Sequence, residues 1–277
     1  MSKSISKVVV LVICDDGLYF DGEKTINSLK YFHPEFKIIR LSTQEINKFR
    51  KELNCDWLGL IAPNIMKAIW DKEQPDLLIK IGADCIVLNT LNEILDWDYD
   101  VACGRNDADL IGNRNERHNR PDIIRDIPNH EWVNADLVCI KNYEFLLKYV
   151  ELTDNYRNDK IAALKDYGKF YKGDDQCSLN VVFRLYGFKS LILDPVGSNL
   201  IYGSSGNWYI DNSSWDNWKY IYFDGEKCVM PNLGIVCGDR IVKCLHQCGG
   251  PRSSKLEWSL FNKEFQEYLK KITNIHD

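Results

Sequence analysis

The segment Leu77-Leu78-Ile79-Lys80-Ile81-Gly82-Ala83-Asp84-Cys85-Ile86-Val87 sets a carboxylate inside an apolar run. A strand that stops on an aspartate and then resumes holds that carboxylate rigid, yet within reach of solvent. In an open parallel sheet, ligands bind beyond the carboxyl ends of the strands. A hard divalent cation with oxygen ligands needs such a group, and Mg2+ or Mn2+ commonly shares its shell with a diphosphate. Asp84 is therefore a candidate metal ligand. The competing reading is an aspartate that caps the following turn.

Other carboxylates invite the same question. Asp96-Trp97-Asp98-Tyr99-Asp100 falls between a helical and a strand-like run and reads as a solvated turn. Asp107-Ala108-Asp109 follows a strand-like run, where it could face a ligand. Asp174 and Asp175 precede a helical run, where N-capping is the plain alternative to chemistry. Cys228, Cys237, Cys244, His246 and Cys248 lie close together and admit a structural zinc site. No Cys-x-x-Cys pair occurs among them, however, and Cys244-x-His246-x-Cys248 alternates as a strand does. Two readings of His246 follow from these residues: zinc ligand or packed strand end.

The elements that must position these residues follow from periodicity. Val8 to Cys14 is a continuous β-branched run, the mark of a strand buried on both faces. The polar turn Asp15-Asp16-Gly17 follows it. Residues 23–32 are predicted helical, 36–41 a strand, and 51–70 mostly helical with Pro63 opening the second half. Residues 76–81 form a third strand that 85–88 continue past a short break. A brief helix over 91–95 and a strand over 101–104 complete an alternation that argues for an α/β domain with a largely parallel sheet. Further on, 132–140 and 189–193 are strand-like, and 143–152 and 178–186 helical. Asp224-Gly225 turns a hairpin between 220–223 and 227–230. Ser254 and Glu257 form a capping-box pattern ahead of a helix with Phe261, Phe265 and Leu269 on one face. Trp208, Tyr209, Trp215 and Trp218 sit in a Gly/Ser-rich stretch, either as stacking platforms for a ligand or as loop anchors.

Composition narrows the class. The chain has 277 residues, 45% of them hydrophobic, and a net charge of −5 that is spread along it. That suffices for a sizeable core and shows no basic stripe for nucleic acid. No segment approaches the roughly 20 apolar residues of a membrane span. The ten cysteines sit mostly in apolar runs, as free thiols do in a reducing compartment. The expectation is a cytoplasmic protein of one domain over 1–277.

In that order, the motifs resemble those of GT-A-fold glycosyltransferases, closest to the family 8 enzymes of the glycogenin and lipopolysaccharide galactosyltransferase type. Gly82-Ala83-Asp84 stands where that family has Asp-x-Asp, with Gly82 at the first position. Trp132-Val133-Asn134-Ala135-Asp136 is similar to its Phe-Asn-Ala-Gly block. Asp175-Gln176-Cys177-Ser178-Leu179-Asn180 is similar to Asp-Gln-Asp-x-Leu-Asn, and Leu191 to Asn199 to a stretch that ends in a characteristic Asn. His246-Gln247-Cys248-Gly249-Gly250-Pro251-Arg252 is similar to His-x-x-Gly-x-x-Lys.

The resemblance implies a GT-A fold with a mixed, mainly parallel sheet. Residues 1–104 would be the nucleotide-binding half, and 105–277 the sugar and acceptor half. It implies a nucleotide-sugar donor, UDP-linked, Mn2+ or Mg2+ held by Asp84 and His246, and retention of anomeric configuration. Asp15, Asp16 and Tyr19 would hold the nucleotide, with Gly82 at the ribose or metal position. Gly249 and Arg252 would hold the diphosphate, for which a guanidinium is well suited. Asn134, Asp136, Asp175 and Gln176 would face the sugar, where oxygens stabilise an oxocarbenium-like state. Two rivals remain open: an inverting transferase with Asp136 or Asp175 as base, and a nucleotide-sugar-binding protein without turnover. The acceptor would be a carbohydrate or a glycosylated molecule, with no nucleic acid and no membrane span.

Overall fold

A computed structural model of the chain describes residues 5–14, 19–105, 133–158, 175–193, 222–230, 240–241, 243–246 and 262–274. Val8–Ile13 forms β1, and α1 (Tyr19–Phe32) leads to β2 (Lys37–Arg40). The helix expected over 51–70 forms only from Leu58 onward, and an unexpected helix lies ahead of it. α2 (Thr43–Glu52) opens on a capping box. Ser42 Oγ accepts from the Glu45 N–H, and the Glu45 carboxylate accepts from the Ser42 N–H at 2.8 Å. The chain breaks after Leu53, with Asn54 at φ 46°. α3 (Leu58–Glu73) then runs with Pro63 inside it, not at its start, and buries Ile61, Ala62, Ile65, Met66, Ile69 and Trp70 at helical spacing.

β3 (Leu77–Gly82) is buried at every position. Ala83 and Asp84 turn the chain into β4 (Cys85–Val87), followed by α4 (Glu93–Asp96) and β5 (Val101–Arg105). β6 (Val133–Ile140), α5 (Tyr143–Arg157), α6 (Asp175–Leu185) and β7 (Ser190–Leu193) come next. The remaining elements are β8 (Tyr222–Phe223), β9 (Cys228–Met230), β10 (Arg240–Ile241), β11 (Cys244–His246) and α7 (Lys263–Thr273). The β8–β9 hairpin forms as expected. Gly225 takes φ 101°, and the Asp224 carboxylate accepts from the Glu226 and Lys227 N–H groups at 2.9 and 2.8 Å. The cap of α7 is Asn262, whose side chain accepts from the Phe265 N–H at 2.8 Å. Phe261 and the pair Ser254 and Glu257 lie outside the described residues.

Among the described residues six strands form the main sheet, in the order β2-β1-β3-β6-β5-β7. β1 is parallel to β2 and β3, and β5 to β7, while β6 runs antiparallel to both β3 and β5. The sheet is thus mixed and mainly parallel. The expected continuation of β3 through 85–88 does not occur, because β4 leaves the main sheet and pairs antiparallel with β11. One face of the sheet carries Val9, Leu11 and Leu78 against the apolar faces of α2, α3, α5 and α6. The other carries Val10, Val12, Ile79 and Ile81 against Ile26, Leu29 and Ile94 of α1 and α4. A third cluster joins Ile86, Leu88 and Leu245 to Phe265, Leu269 and Ile272 of α7. Among the described residues no helix is long and apolar enough to cross a membrane.

Candidate functional site

The carboxyl ends of β1 and β3 lie side by side, with Ile13 opposite Gly82. The chain leaves β1 toward β2 on one side and returns to β3 on the other, so this edge is a topological switch point, where open sheets bind ligands. α1 is drawn tightly onto it. A Cβ at Gly22 would stand 2.7 Å from Cys14 Sγ, so a glycine is needed for α1 to lie this close to the end of β1. The buried Thr25 hydroxyl sits among the carbonyls of Cys85, Ala83 and Gly82 at 2.5, 2.7 and 3.4 Å and shares its one hydrogen with them. Ser28 Oγ accepts from the Val87 N–H at 3.0 Å and donates to Thr25 O at 2.9 Å. These bonds clamp the backbone on both sides of Asp84, which is half-buried between the buried residues Ala83 and Cys85.

β11 is laid against the far side of this turn. Cys244 pairs with Val87, Leu245 with Ile86 and His246 with Cys85, so the His246 backbone sits one register step from Asp84. The pairing begins at Lys243, whose buried ammonium donates to Thr90 O at 2.9 Å and Glu93 Oε1 at 2.6 Å, while its carbonyl accepts from the Leu88 N–H. His33 secures the same loop. Its Nε2 accepts from the Leu91 N–H at 2.7 Å, its ring stacks on Phe36, and burial holds its pKa below the usual imidazole range. Cys228 and Cys244 belong to different apolar clusters, and burial pushes the Cys228 thiol pKa up. Among the described residues no three His, Cys, Asp or Glu side chains gather around a common point.

β6 supplies the opposite wall. Its pairing with β5 shifts between Cys103, opposite Val138, and Arg105, opposite Val133, which marks a bulge. The side chains record it. Val133 and Ala135 share a face with Val138 and Ile140, whereas Leu137 and Cys139 point to the other face. Bulges re-aim side chains and leave backbone groups to be satisfied from elsewhere. Asn180 of α6, fully buried, satisfies them here. Its Oδ1 accepts from the Val133 N–H at 2.8 Å, and its Nδ2 donates to Val133 O at 2.9 Å and Gln176 O at 2.8 Å. Gln176 Oε1 accepts from the Ala135 N–H at 3.4 Å, and Asn134 Oδ1 from the Asp136 N–H at 2.6 Å.

Lys80 is the one charged residue of β3 and is 8% exposed. Its ammonium donates to Ala135 O at 2.7 Å and Asp136 Oδ1 at 3.1 Å, which satisfies a charge that could not otherwise be buried. Beside it, the space above Gly82 is filled by carboxylates. A Cβ on Gly82 would meet Asp84 Oδ1 at 2.8 Å and Asp136 Oδ1 and Cβ at 3.2 Å. Two carboxylates opening on one glycine-lined space are oxygen donors of the kind a hard divalent cation takes.

Of the candidate residues, Gly82, Asp84 and Asp136 come together, and Asn134 and Gln176 adjoin them through the bulged strand. Asn134 turns its amide oxygen onto its own strand. Tyr19 and Asp175 open α1 and α6. Their side chains, that of His246, and all of Asp15, Asp16, Gly249 and Arg252 lie outside the described residues, as do Asp107 and Asp109. The 96–100 string leaves α4 as a turn, solvated at Asp96 and Asp98 but anchored by the buried Tyr99. Asp98 is exposed and pairs with Lys189, and Asp100 accepts from the Lys189 N–H and Asn142 Nδ2 at 2.8 and 3.0 Å. Sequence reasoning missed Lys80 and Asn180. The signal for Lys80 was present, since a single lysine in an apolar strand must find a buried partner.

No protein-family profile and no curated protein sequence matches the chain. Solved structures do. The galactosyltransferase LgtC, solved in complex with donor and acceptor sugar analogs, is 14% identical and aligns over 96% of this chain and 95% of that one, with a TM-score of 0.52. The chain has the GT-A fold. The glycosyltransferase GlyE of Streptococcus pneumoniae TIGR4 is 15% identical over 68% of this chain (TM-score 0.42), and the bifunctional glycosyltransferase WbbM 14% identical over 96% (TM-score 0.49). The chain covers only 45% and 52% of those two proteins.

Proposed function

We propose that this chain is a glycosyltransferase that moves a sugar from a nucleotide-sugar donor, UDP-linked, to a glycan, protein or small-molecule acceptor, with retention of configuration. The observation that carries the reading is the meeting of Asp84 and Asp136 at the switch point, with β11 paired beside them. The shared fold with a galactosyltransferase supports it.

Asp84 and His246 would hold Mn2+ or Mg2+, which when bound neutralises the diphosphate as the sugar–phosphate bond breaks. Asp15, Asp16 and Tyr19 hold the nucleotide. Gly249 and Arg252 grip the diphosphate. Gly82, at the ribose or metal position, leaves room for the Asp84 and Asp136 carboxylates. Asn134, Asp136, Asp175 and Gln176 line the sugar side, where their oxygens favour the positive charge that develops at the anomeric carbon. Residues 1–104 and 105–277 contribute the two halves of one domain. Cys103, Cys139 and Cys228 are buried thiols outside any disulfide, which fits a reducing, cytoplasmic setting.

A thermal-shift screen of nucleotide-sugars with and without Mn2+ tests the reading. A ligand at about 100 times its Kd adds about 2.7 kcal/mol to apparent stability. A UDP-sugar should raise Tm in Mn2+ and raise it less in EDTA. If no nucleotide-sugar shifts Tm in either condition, the reading fails. An inverted anomeric configuration in the NMR spectrum of the product would overturn retention alone.

A further inference from the structure

Position 82 is the point at which the site departs from a plain strand end. In the antiparallel pairing of β3 with β6, Lys80 faces Val138 and Ile81 faces Leu137, so the next step sets Gly82 against Asp136. Directly opposed Cβ atoms normally stand about 4.5–5.5 Å apart. Here a Cβ on Gly82 would lie 3.2 Å from that of Asp136, and 2.8 Å from an oxygen of Asp84. The Asp136 side chain, on the bulged strand, stands in the volume that a side chain at 82 would use. Lys80 holds one Asp136 oxygen from the interior. That oxygen, Oδ1, is also the one that faces the space above Gly82, and a carboxylate offers about four acceptor positions in all.

We propose that Gly82 and Asp136 form a complementary exchange, in which the glycine admits the Asp136 carboxylate as the second oxygen donor beside Asp84 for the cation. The carboxylate that an Asp-x-Asp strand end would carry on β3 is delivered here from β6. This rests on the metal-assisted reading above for the cation, whereas the exchange of space stands without it.

The test is a double-mutant cycle in the full chain: Gly82→Asp, Asp136→Gly and the two combined, read by Tm without ligand and by the Mn2+-induced rise in Tm. Without ligand, each single variant should lose about 3 °C or more. The double variant should lose clearly less than the two losses together, since the carboxylate introduced on β3 enters the volume that Asp136 vacates. With Mn2+, Asp136→Gly should raise the concentration for half-maximal shift about tenfold or more, the scale on which groups around a metal act, and the double variant should recover most of it. If Gly82→Asp fails to fold, Gly82→Ala alone and with Asp136→Gly reads the steric half without adding charge. Additive Tm losses in both cycles overturn the exchange. An unchanged Mn2+ response in Asp136→Gly overturns the role of Asp136 toward the cation. A wild-type chain with no Mn2+ response overturns the cation reading, while the ligand-free cycle still decides the exchange.

Discussion

β1 and β6 flank the same strand and do opposite work. β1 lies along β3 in unbroken parallel register from Val8 opposite Leu77 to Ile13 opposite Gly82. It buries Val9 and Leu11 on one face and Val10 and Val12 on the other. Its backbone is satisfied by the ladder, and its side chains only pack. β6 pairs with β3 in antiparallel register, bulges against β5, and needs Asn180, Gln176 and Lys80 to satisfy or cover its polar groups. An apolar ladder makes a wall that tolerates no re-aiming. A bulged strand underwritten by side chains gives up regularity to point Asp136 at Asp84. The difference teaches that stability and site geometry are borne by different strands on either side of β3.

That division can be broken by mutation. Leu11→Ala in β1 should cost about 3 kcal/mol or more, the scale of a fully buried leucine truncation. Urea unfolding should show the loss, while Mn2+ and donor still raise the Tm of the folded protein. Loss of the ligand response along with stability would mean that β1 also shapes the site. Asn180→Leu should cost about 2 kcal/mol, because the Val133 N–H and C=O lose their partners where water does not reach. Here the Mn2+ response should fall as well, since the bulged strand that carries Asp136 loses its buried tie to α6 at Val133. A normal Mn2+ response in a destabilised Asn180→Leu protein would show the bulge to be merely structural.

The small β4–β11 sheet sharpens the comparison further. Lys243→Met should cost about 1 kcal/mol, because Glu93 is 40% exposed and can rehydrate. The donor response in Mn2+ should weaken more than stability does, as β11 loosens beside Asp84. Equal losses would place Lys243 with the scaffold. The smallest effect at neutral pH belongs to His33. Its folded pKa lies below the ordinary 6.5, so below that pH the unfolded chain binds more protons and stability falls as the pH drops. A Tm series from about pH 7.5 to about pH 5.5 should show this fall, and His33→Gln, which keeps an acceptor for the Leu91 N–H, should flatten it. A parallel slope in the variant would assign the acid sensitivity to other groups.

The scaffold was legible because its elements repeat a period: the β-branched run of β1, the apolar stripe of α3, the Asp-Gly hairpin. Asp84 was legible too, as a carboxylate interrupting an apolar strand. What escaped was whatever depended on contacts between distant segments. The departure of Cys85–Val87 to pair with Cys244–His246 leaves no local trace, since a short apolar run fits either sheet. Nor does the bulge in β6, because Val133 to Ile140 is apolar enough to pass for a regular strand. Gly82 read as a missing aspartate, and only the positions of the Asp84 and Asp136 side chains give the glycine a physical reason.

The most direct measurement is donor hydrolysis and sugar transfer by Asp84→Asn in saturating Mn2+, with ligand-free Tm as the control for folding. Asp84 is half-buried in a turn held by Thr25 and Ser28, so the amide should fold with nearly the wild-type Tm. Transfer should fall at least about a hundredfold, as expected when a charge-stabilising group is removed from the reacting centre. Transfer at the wild-type rate from a folded Asp84→Asn protein would contradict the assignment of Asp84 to the cation and the diphosphate.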